Sequence, residues 1–167
     1  MADIKISYQA DQTLTNAIES LGTSATWVAG YESTWIDNAS NLYVDYIVSG
    51  KVTVGTTPTI STEIRIYVVT SIEDGTSYPD VFDGTTSAET VVSEGVRDSF
   101  AKLAAVLRVD TTTSDRGYPY AFSVASLFGG VCPREFCLFT THNSGVNLNA
   151  TGSNQVTKYR GVYYTSV

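Results

Sequence analysis

Segments of alternating apolar and polar residues, separated by turn signals, restrict the fold of this chain more than any other feature. The two longest read LYVDYIVSGKVTV at 42–54 and EIRIYVVTSI at 63–72, with apolar side chains recurring at every second position. That period places alternate side chains on opposite faces of a β-strand. The predicted strands cover 4–8, 25–29, 42–54, 63–72, 120–128, 136–141 and 156–167.

The order of these strands predicts the fold class. Turn signals such as Asp83-Gly84 separate them, and no regular alternation of strands with long helices indicates a parallel sheet. We therefore predict an all-β protein, a single-domain antiparallel β-sandwich over residues 1–167 that is jelly-roll-like. The last strand, VTKYRGVYYTSV, is expected inside a sheet or at an edge that a partner covers, because a bare edge invites aggregation.

The segment DSFAKLAAVLRV at 98–109 is compatible with two structures. Its alanines favour a helix that begins after Asp98. A strand would turn Leu103, Ala105, Leu107 and Val109 inward. The strands on either side favour the second interpretation. Within 42–54, Gly50 is a candidate for a bulge or bend.

Composition restricts the environment and the partners. Charged residues make up 16% of the chain, against about 25% in an average domain. The 23 Thr and 11 Tyr suit a pleated surface. A net charge of −7 argues against a nucleic-acid partner. No apolar run approaches the roughly 20 residues of a membrane-spanning helix. The opening MADIKISYQAD lacks the apolar core of a signal peptide, so we expect synthesis and folding in a cytoplasm.

The cysteines and the histidine offer little for a metal. Cys132 and Cys137 lie in CPREFC, and in a reducing cytoplasm free thiols are favoured over a disulfide. Together with His142 they supply at most three soft ligands, whereas structural zinc takes four.

Acidic residues cluster in EDGTSYPDVFDG at 73–84. Oxygen ligands from Asp74, Asp80 and Asp83 would suit calcium, but the spacing of an EF-hand is absent. Two Asp-Gly turns around a Tyr-Pro bend explain the segment more simply. No metal and no cofactor is therefore predicted.

Catalytic equipment is sparse. His142 precedes a turn in TTHNSG, where we expect it to be exposed, and no G-x-S-x-G motif accompanies it. A glycan hydrolase would need two carboxylates facing each other across a cleft about 5 to 9.5 Å wide, which sequence cannot pair. We expect a protein that is not an enzyme.

Aromatic residues are the remaining candidates for a binding site. Trp27, Tyr31 and Trp35 are spaced by four around Gly30. If exposed, such rings could stack on sugars, although packing in the core is favoured. Tyr118 and Tyr120, in the later YPY run, are two further candidates.

Three stretches together resemble a group of small virion proteins of tailed bacteriophages: ESTWIDNASNLYVDYIVSGKVTV (32–54), YPYAFSVASLFGGVCP (118–133) and NATGSNQVTKYRGVYYTSV (149–167). In that group a Ser-Thr, Asp-Asn, Asn-Leu-Tyr-x-Asp run precedes a long strand. An Ala-Phe-Ser-Val-Ala-Ser-x-Phe-Gly-Gly-Val-x-Pro block follows, and the ending is Ala-Thr-Gly and then Tyr-x-Gly-Val-Tyr. The matches cover about a third of the chain, and the cysteines of CPREFC depart from the pattern.

The resemblance implies a β-sandwich carried on the phage particle, made in the host cytoplasm. The expected function is capsid decoration, with the major capsid protein and further copies of this chain as partners. One alternative is a tail, neck or baseplate component. Another is a carbohydrate-binding module for host attachment, which exposure of Trp27, Tyr31 and Trp35 would favour. A glycan hydrolase is the third.

Overall fold

The fold is given by a computed structural model of the chain, which describes residues 3–73 and 75–166. The strands are β1 (Ile4–Tyr8), β2 (Gln12–Thr13), β3 (Ala29–Glu32), β4 (Ile36–Asp37), β5 (Asp45–Thr53), β6 (Glu63–Thr70), β7 (Ser87–Thr90), β8 (Lys102–Arg108), β9 (Gly117–Ser123), β10 (Glu135–His142) and β11 (Val156–Ser166). The helices are α1 (Glu94–Phe100), α2 (Val124–Leu127) and a 3-10 turn at Gly152–Asn154. Among these residues no helix has the length and apolar character needed to cross a bilayer.

Two antiparallel sheets pack face to face, so the predicted single-domain β-sandwich is confirmed. The first sheet has the order β1–β11–β5–β9, with β2 also paired to β11. The second has the order β7–β3–β10–β6–β8, with β4 also paired to β10. From β8 to β11 successive strands alternate between the sheets, whereas β6, β7 and β8 all lie in the second sheet. The more specific prediction is that the sandwich is jelly-roll-like. That finer description stays a prediction.

The main core lies between the two sheets and follows the alternation of the sequence. Val48 of β5, Ile66 of β6 and Leu138 of β10 are fully buried there. Tyr46 is also buried, and its hydroxyl donates to Asn38 Oδ1 at 3.1 Å. Burial raises the pKa of this phenol, which therefore stays protonated.

A second apolar cluster covers the outer face of the second sheet. Tyr67 and Phe139 point away from the main core and pack with Phe82 and Val91, which precede and follow β7. Arg97 of α1 is buried over the Tyr67 ring, with its guanidinium carbon 4.8 Å from the ring centroid. The β6–β8 connection therefore folds back over the sheet and makes β6 and β10 two-sided core strands.

The ambiguous segment 98–109 is divided between both predicted structures. Its first residues end α1, and β8 then runs from Lys102 to Arg108, so the strand interpretation is confirmed for the larger part. Ile66 pairs with Ala105 but Tyr67 pairs with Leu103, which leaves Ala104 as an extra residue at a bulge. The bulge reverses the alternation, and the predicted inward orientation of Leu103 is wrong.

Other strand predictions hold with changed ends. The segment 25–29 is mostly turn, and its strand, β3, begins at Ala29. The segment 120–128 is β9 followed by α2. Gly50 lies in regular pairing with Thr157 and Tyr120 rather than at a bulge; a Cβ there would overlap the carbonyl oxygen of Val156. The final strand is paired on both sides, by β1 and β5, as expected.

Candidate functional site

The three aromatic residues spaced by four do not form one row. Trp27 lies in a turn with φ +50°, and the Arg65 guanidinium carbon covers its ring at 3.7 Å from the centroid. Tyr31 packs against the main core, whereas Trp35 packs in the second cluster, 4.6 Å from the Tyr78 ring. The rings of Tyr31 and Trp35 therefore contact opposite sides of the second sheet, and no flat sugar-stacking surface results.

Tyr118 and Tyr120 lie in the main core, each only 8% exposed. The Tyr118 hydroxyl donates to Asp110 Oδ1 at 3.0 Å. The Tyr120 hydroxyl pairs with Thr157 Oγ1 at 2.8 Å, and burial raises the pKa of Tyr120 to about 12. Both residues act as packed core tyrosines with satisfied hydroxyls and present no ring face to a ligand.

His142 is fully buried, so the expectation that it is exposed is wrong. Its Nε2 lies 3.0 Å from the carbonyl oxygen of Leu21, which can only accept, so Nε2 carries the proton. Nδ1 lies 2.9 Å from Ser144 Oγ. Burial lowers the pKa of His142 and favours the neutral ring. The residue fixes the loop at 144–146 and has no access to a substrate.

The two cysteines are free thiols, as favoured from the sequence. Burial raises the pKa of Cys132 to about 12 and that of the fully buried Cys137 well above its ordinary value. Both are therefore protonated near neutral pH and poor nucleophiles.

The predicted acidic loop is only partly a set of turns. Asp74 lies outside the described residues. Asp80 Oδ2 accepts from the Val92 amide at 3.1 Å, and Asp83 Oδ1 accepts from the Thr85 amide at 2.9 Å. Asp83 also lies close to two glutamates that the sequence had not identified as candidate ligands. One carboxylate oxygen each from Glu32, Asp83 and Glu89 lies within 4.8 Å of the others. We call this group the acidic triad.

Strand pairing brings the two glutamates of the acidic triad together. In the β3–β7 ladder Glu32 pairs with Ser87 and Gly30 pairs with Glu89, so the two glutamates share one face on neighbouring strands. Ser87 Oγ donates to Glu89 Oε1 at 2.6 Å. The acids Glu73, Asp80 and Asp83 mark the β6–β7 connection in the sequence, but nothing in the sequence specified the register that brings Glu32 and Glu89 together.

Glu32 is the interior member of the acidic triad and is fully buried. Trp35 Nε1 donates to Glu32 Oε1, whereas Oε2 is buried without a hydrogen-bond partner. The pKa of Glu32 is raised from 4.5 to about 7, chiefly by desolvation and also by the charges of Glu89 and Asp83. The bond from Trp35 and a contact with the Gly84 amide act in the opposite direction.

An exposed apolar surface lies at the edge of the first sheet, on β1 and the part of β11 that pairs with it. Ile4, Ile6 and Tyr8 alternate along one face of β1, and the register places Tyr164 opposite Ile6. These four side chains are 58–75% exposed. We call β1 and its paired residues 162–166 of β11 the apolar ribbon. Monomeric proteins rarely leave such a contiguous apolar surface open without a function.

The backbone of β1 is also available for pairing. The amide of Gln9 donates to the Gly161 carbonyl at 2.8 Å, so odd-numbered residues of β1 direct their polar groups toward β11. The N–H and C=O groups of Ile4, Ile6 and Tyr8 therefore point away from β11, along the outer edge of the sheet.

Comparisons of the chain with protein-family models, with curated proteins and with solved structures gave no match. The chain is therefore a β-sandwich with an open apolar edge and an acidic triad of which only Glu32 is buried.

Proposed function

We propose that this protein is a non-enzymatic structural protein of a bacteriophage particle, a decoration protein that binds the outer surface of the capsid shell through the apolar ribbon. The observation that carries the proposal is the exposure of Ile4, Ile6, Tyr8 and Tyr164 on one face of an edge ribbon. The resemblance of 32–54, 118–133 and 149–167 to phage virion proteins supports the phage particle as the setting.

The energetics of such docking follow from the side chains present. Burying apolar surface contributes roughly 25 cal/mol per Å² before the cost of ordering the two partners. Tyr8 and Tyr164 are suitable anchors because tyrosine supplies much contact area with few rotatable bonds. A shell offers many identical sites, so a modest contact per copy is repeated over the whole particle.

The open edge of β1 suits a second copy of the chain. An antiparallel β1–β1 pair centred on Ile6 places Ile4 opposite Tyr8 of the other copy and Lys5 opposite Ser7. It uses the outward N–H and C=O groups of the even-numbered residues. Centring the pair on Lys5 would oppose two lysines, and centring it on Ser7 would oppose Asp3 and Asp11. The favoured register doubles the apolar surface into one continuous patch.

Binding to empty mature shells, measured as copies bound per shell against protein concentration, tests the function. We expect saturation at a multiple of the shell's symmetry number. Ile6→Asp should abolish binding, whereas Ile60→Asp, which places the same charge at another half-exposed isoleucine, should leave it intact. Failure of the folded wild type to bind shells would refute capsid decoration. Binding to purified tails instead would move the proposal to a tail, neck or baseplate role.

Self-association is tested separately by light scattering after size-exclusion chromatography. Ile6→Pro removes an outward amide of β1 without removing a hydrogen bond to β11, and proline is unfavourable in a paired strand. We expect a dimer for the wild type and a monomer for this variant. A wild type that stays monomeric at all accessible concentrations would refute the β1–β1 pair but not shell binding.

A further inference from the structure

We infer that the acidic triad is a binding site for a calcium ion, with Glu32, Asp83 and Glu89 as its protein ligands. The site is independent of the proposed function, because it lies against the second apolar cluster and not on the apolar ribbon. Its members come from β3, from the β6–β7 connection and from β7. The loop that covers the outer face of the second sheet is thereby joined to the sheet itself.

The unpartnered oxygen of Glu32 is the observation that distinguishes this triad from an ordinary acidic surface. A buried polar atom without a hydrogen bond is unfavourable, and a buried carboxylate oxygen without one is more so. Glu32 Oε2 is in that state, although the other oxygen of the same carboxylate accepts from Trp35. The two charged groups that act on Glu32 most strongly, Glu89 and Asp83, are both acidic. A cation at this point satisfies the orphaned oxygen and removes the repulsion.

The remaining ligands are held in place by their own contacts. Thr85 donates to Asp83 Oδ1 through its amide at 2.9 Å and through its hydroxyl at 2.5 Å, and these bonds lower the pKa of Asp83. Asp83 is exposed and lies at the entrance of the triad. Ser87 holds Glu89 Oε1 in the same manner. Glu32 is the buried member, so the three carboxylates extend from the exposed Asp83 into the interior of the protein.

The chemistry of the donors indicates which cation fits. All three are carboxylate oxygens, the ligands of hard cations, with no imidazole or thiolate in the group. Calcium binds oxygens at about 2.3–2.6 Å, so two ligands on opposite sides of one ion lie about 5 Å apart. The three carboxylate oxygens lie within 4.8 Å of one another, so a single ion of this kind can contact all of them. Magnesium requires a near-ideal octahedron at about 2.1 Å and releases its waters reluctantly, so three carboxylates from separate segments suit calcium better.

Terbium luminescence provides a direct test, because Tb³⁺ replaces Ca²⁺ and is sensitised by a nearby indole. Trp35 donates to a triad ligand, so excitation of tryptophan should produce Tb³⁺ emission that Trp35→Phe strongly reduces. Calcium should displace the emission at much lower concentration than magnesium. Thermal unfolding in millimolar CaCl₂ should occur at a higher temperature than in EDTA.

Three variants locate the site. Asp83→Asn changes an exposed ligand without disturbing the interior and should weaken Ca²⁺ binding at least tenfold, while Glu32→Gln should abolish it. Glu94→Gln is the matched control, since it removes one negative charge from an exposed side chain outside the triad whose ion-pair contact to Arg97 is a long one of 3.8 Å. The inference is overturned if the wild type shows neither sensitised emission nor a Ca²⁺-dependent shift. It is equally overturned if Asp83→Asn and Glu32→Gln bind Ca²⁺ like the wild type, or if Mg²⁺ displaces Tb³⁺ as well as Ca²⁺ does.

Discussion

Glu32→Gln should stabilise the protein in the absence of divalent cations, at about pH 8, where the carboxyl of Glu32 is ionised in the folded and unfolded states. Gln keeps an oxygen that accepts from Trp35 Nε1 and places an amide donor beside Asp83 and Glu89. The substitution therefore replaces a desolvated negative charge by a neutral group of the same shape, which can donate to the two remaining acids.

The pKa of Glu32 gives the magnitude of this gain. Folding raises that pKa from 4.5 to about 7, and each pKa unit corresponds to about 1.4 kcal/mol, so ionised Glu32 destabilises the folded state by roughly 3 kcal/mol. Because the folded-state pKa is the higher one, this loss of stability begins near pH 4.5 and is complete above about pH 7. At about pH 4 the variant and the wild type should be nearly equal in stability.

Urea unfolding followed by tryptophan fluorescence in EDTA, at both pH values, measures the difference in the free energy of unfolding. Glu94→Gln, an exposed acid, should change stability by less than about 0.5 kcal/mol. If Glu32→Gln is as stable as the wild type or less stable at the higher pH, the desolvation argument is refuted. With millimolar CaCl₂ the order should reverse, since only the wild type gains the energy of binding the ion.

Further predictions concern the interior. Because burial lowers the pKa of His142, the free energy of unfolding should fall as the pH drops below the ordinary histidine value of 6.5. His142→Gln keeps a donor for the Leu21 carbonyl but cannot be protonated in this range, so its urea midpoint should fall less. Arg97→Met should lower stability by about 1 to 3 kcal/mol, because the Trp27 carbonyl loses a donor at 2.8 Å; a change below the error of the titration would contradict this role. Gly161→Ala should lower the melting temperature markedly because its Cβ would overlap Tyr43 Cδ2, whereas Gly22→Ala, with open space around it, should not; equal effects would show that the ring moves aside.

The sequence predicted the sandwich because strand alternation is a local property. Val48 and Ile66 belong to runs in which every second residue is apolar, and this alternation predicts the buried face without knowledge of which strands are paired. The same local reading failed at Leu103, where the bulge that reverses the phase arises from pairing with β6. It failed at His142 because the packing that buries the ring involves Leu21, far away in the chain.

The candidate sites depended more strongly on tertiary structure. The alternation of Ile4, Ile6 and Tyr8 was visible in the sequence, but their exposure follows from the position of β1 at the edge of its sheet. The sequence identified Asp83 as part of an acidic loop, but it did not indicate that Glu32 and Glu89 lie beside it.

What the sequence alone determined was therefore the all-β class, the free thiols and the approximate places of the long strands. What only the tertiary structure decided was which strands are neighbours, which faces stay open and which acids meet. The physical reason is range: a strand's period is set by adjacent residues, whereas register and burial are set by contacts between distant parts of the chain. Glu32 and Glu89 share a face because β3 pairs with β7, and the desolvation of Glu32 exists only once that pairing and the covering loop are in place.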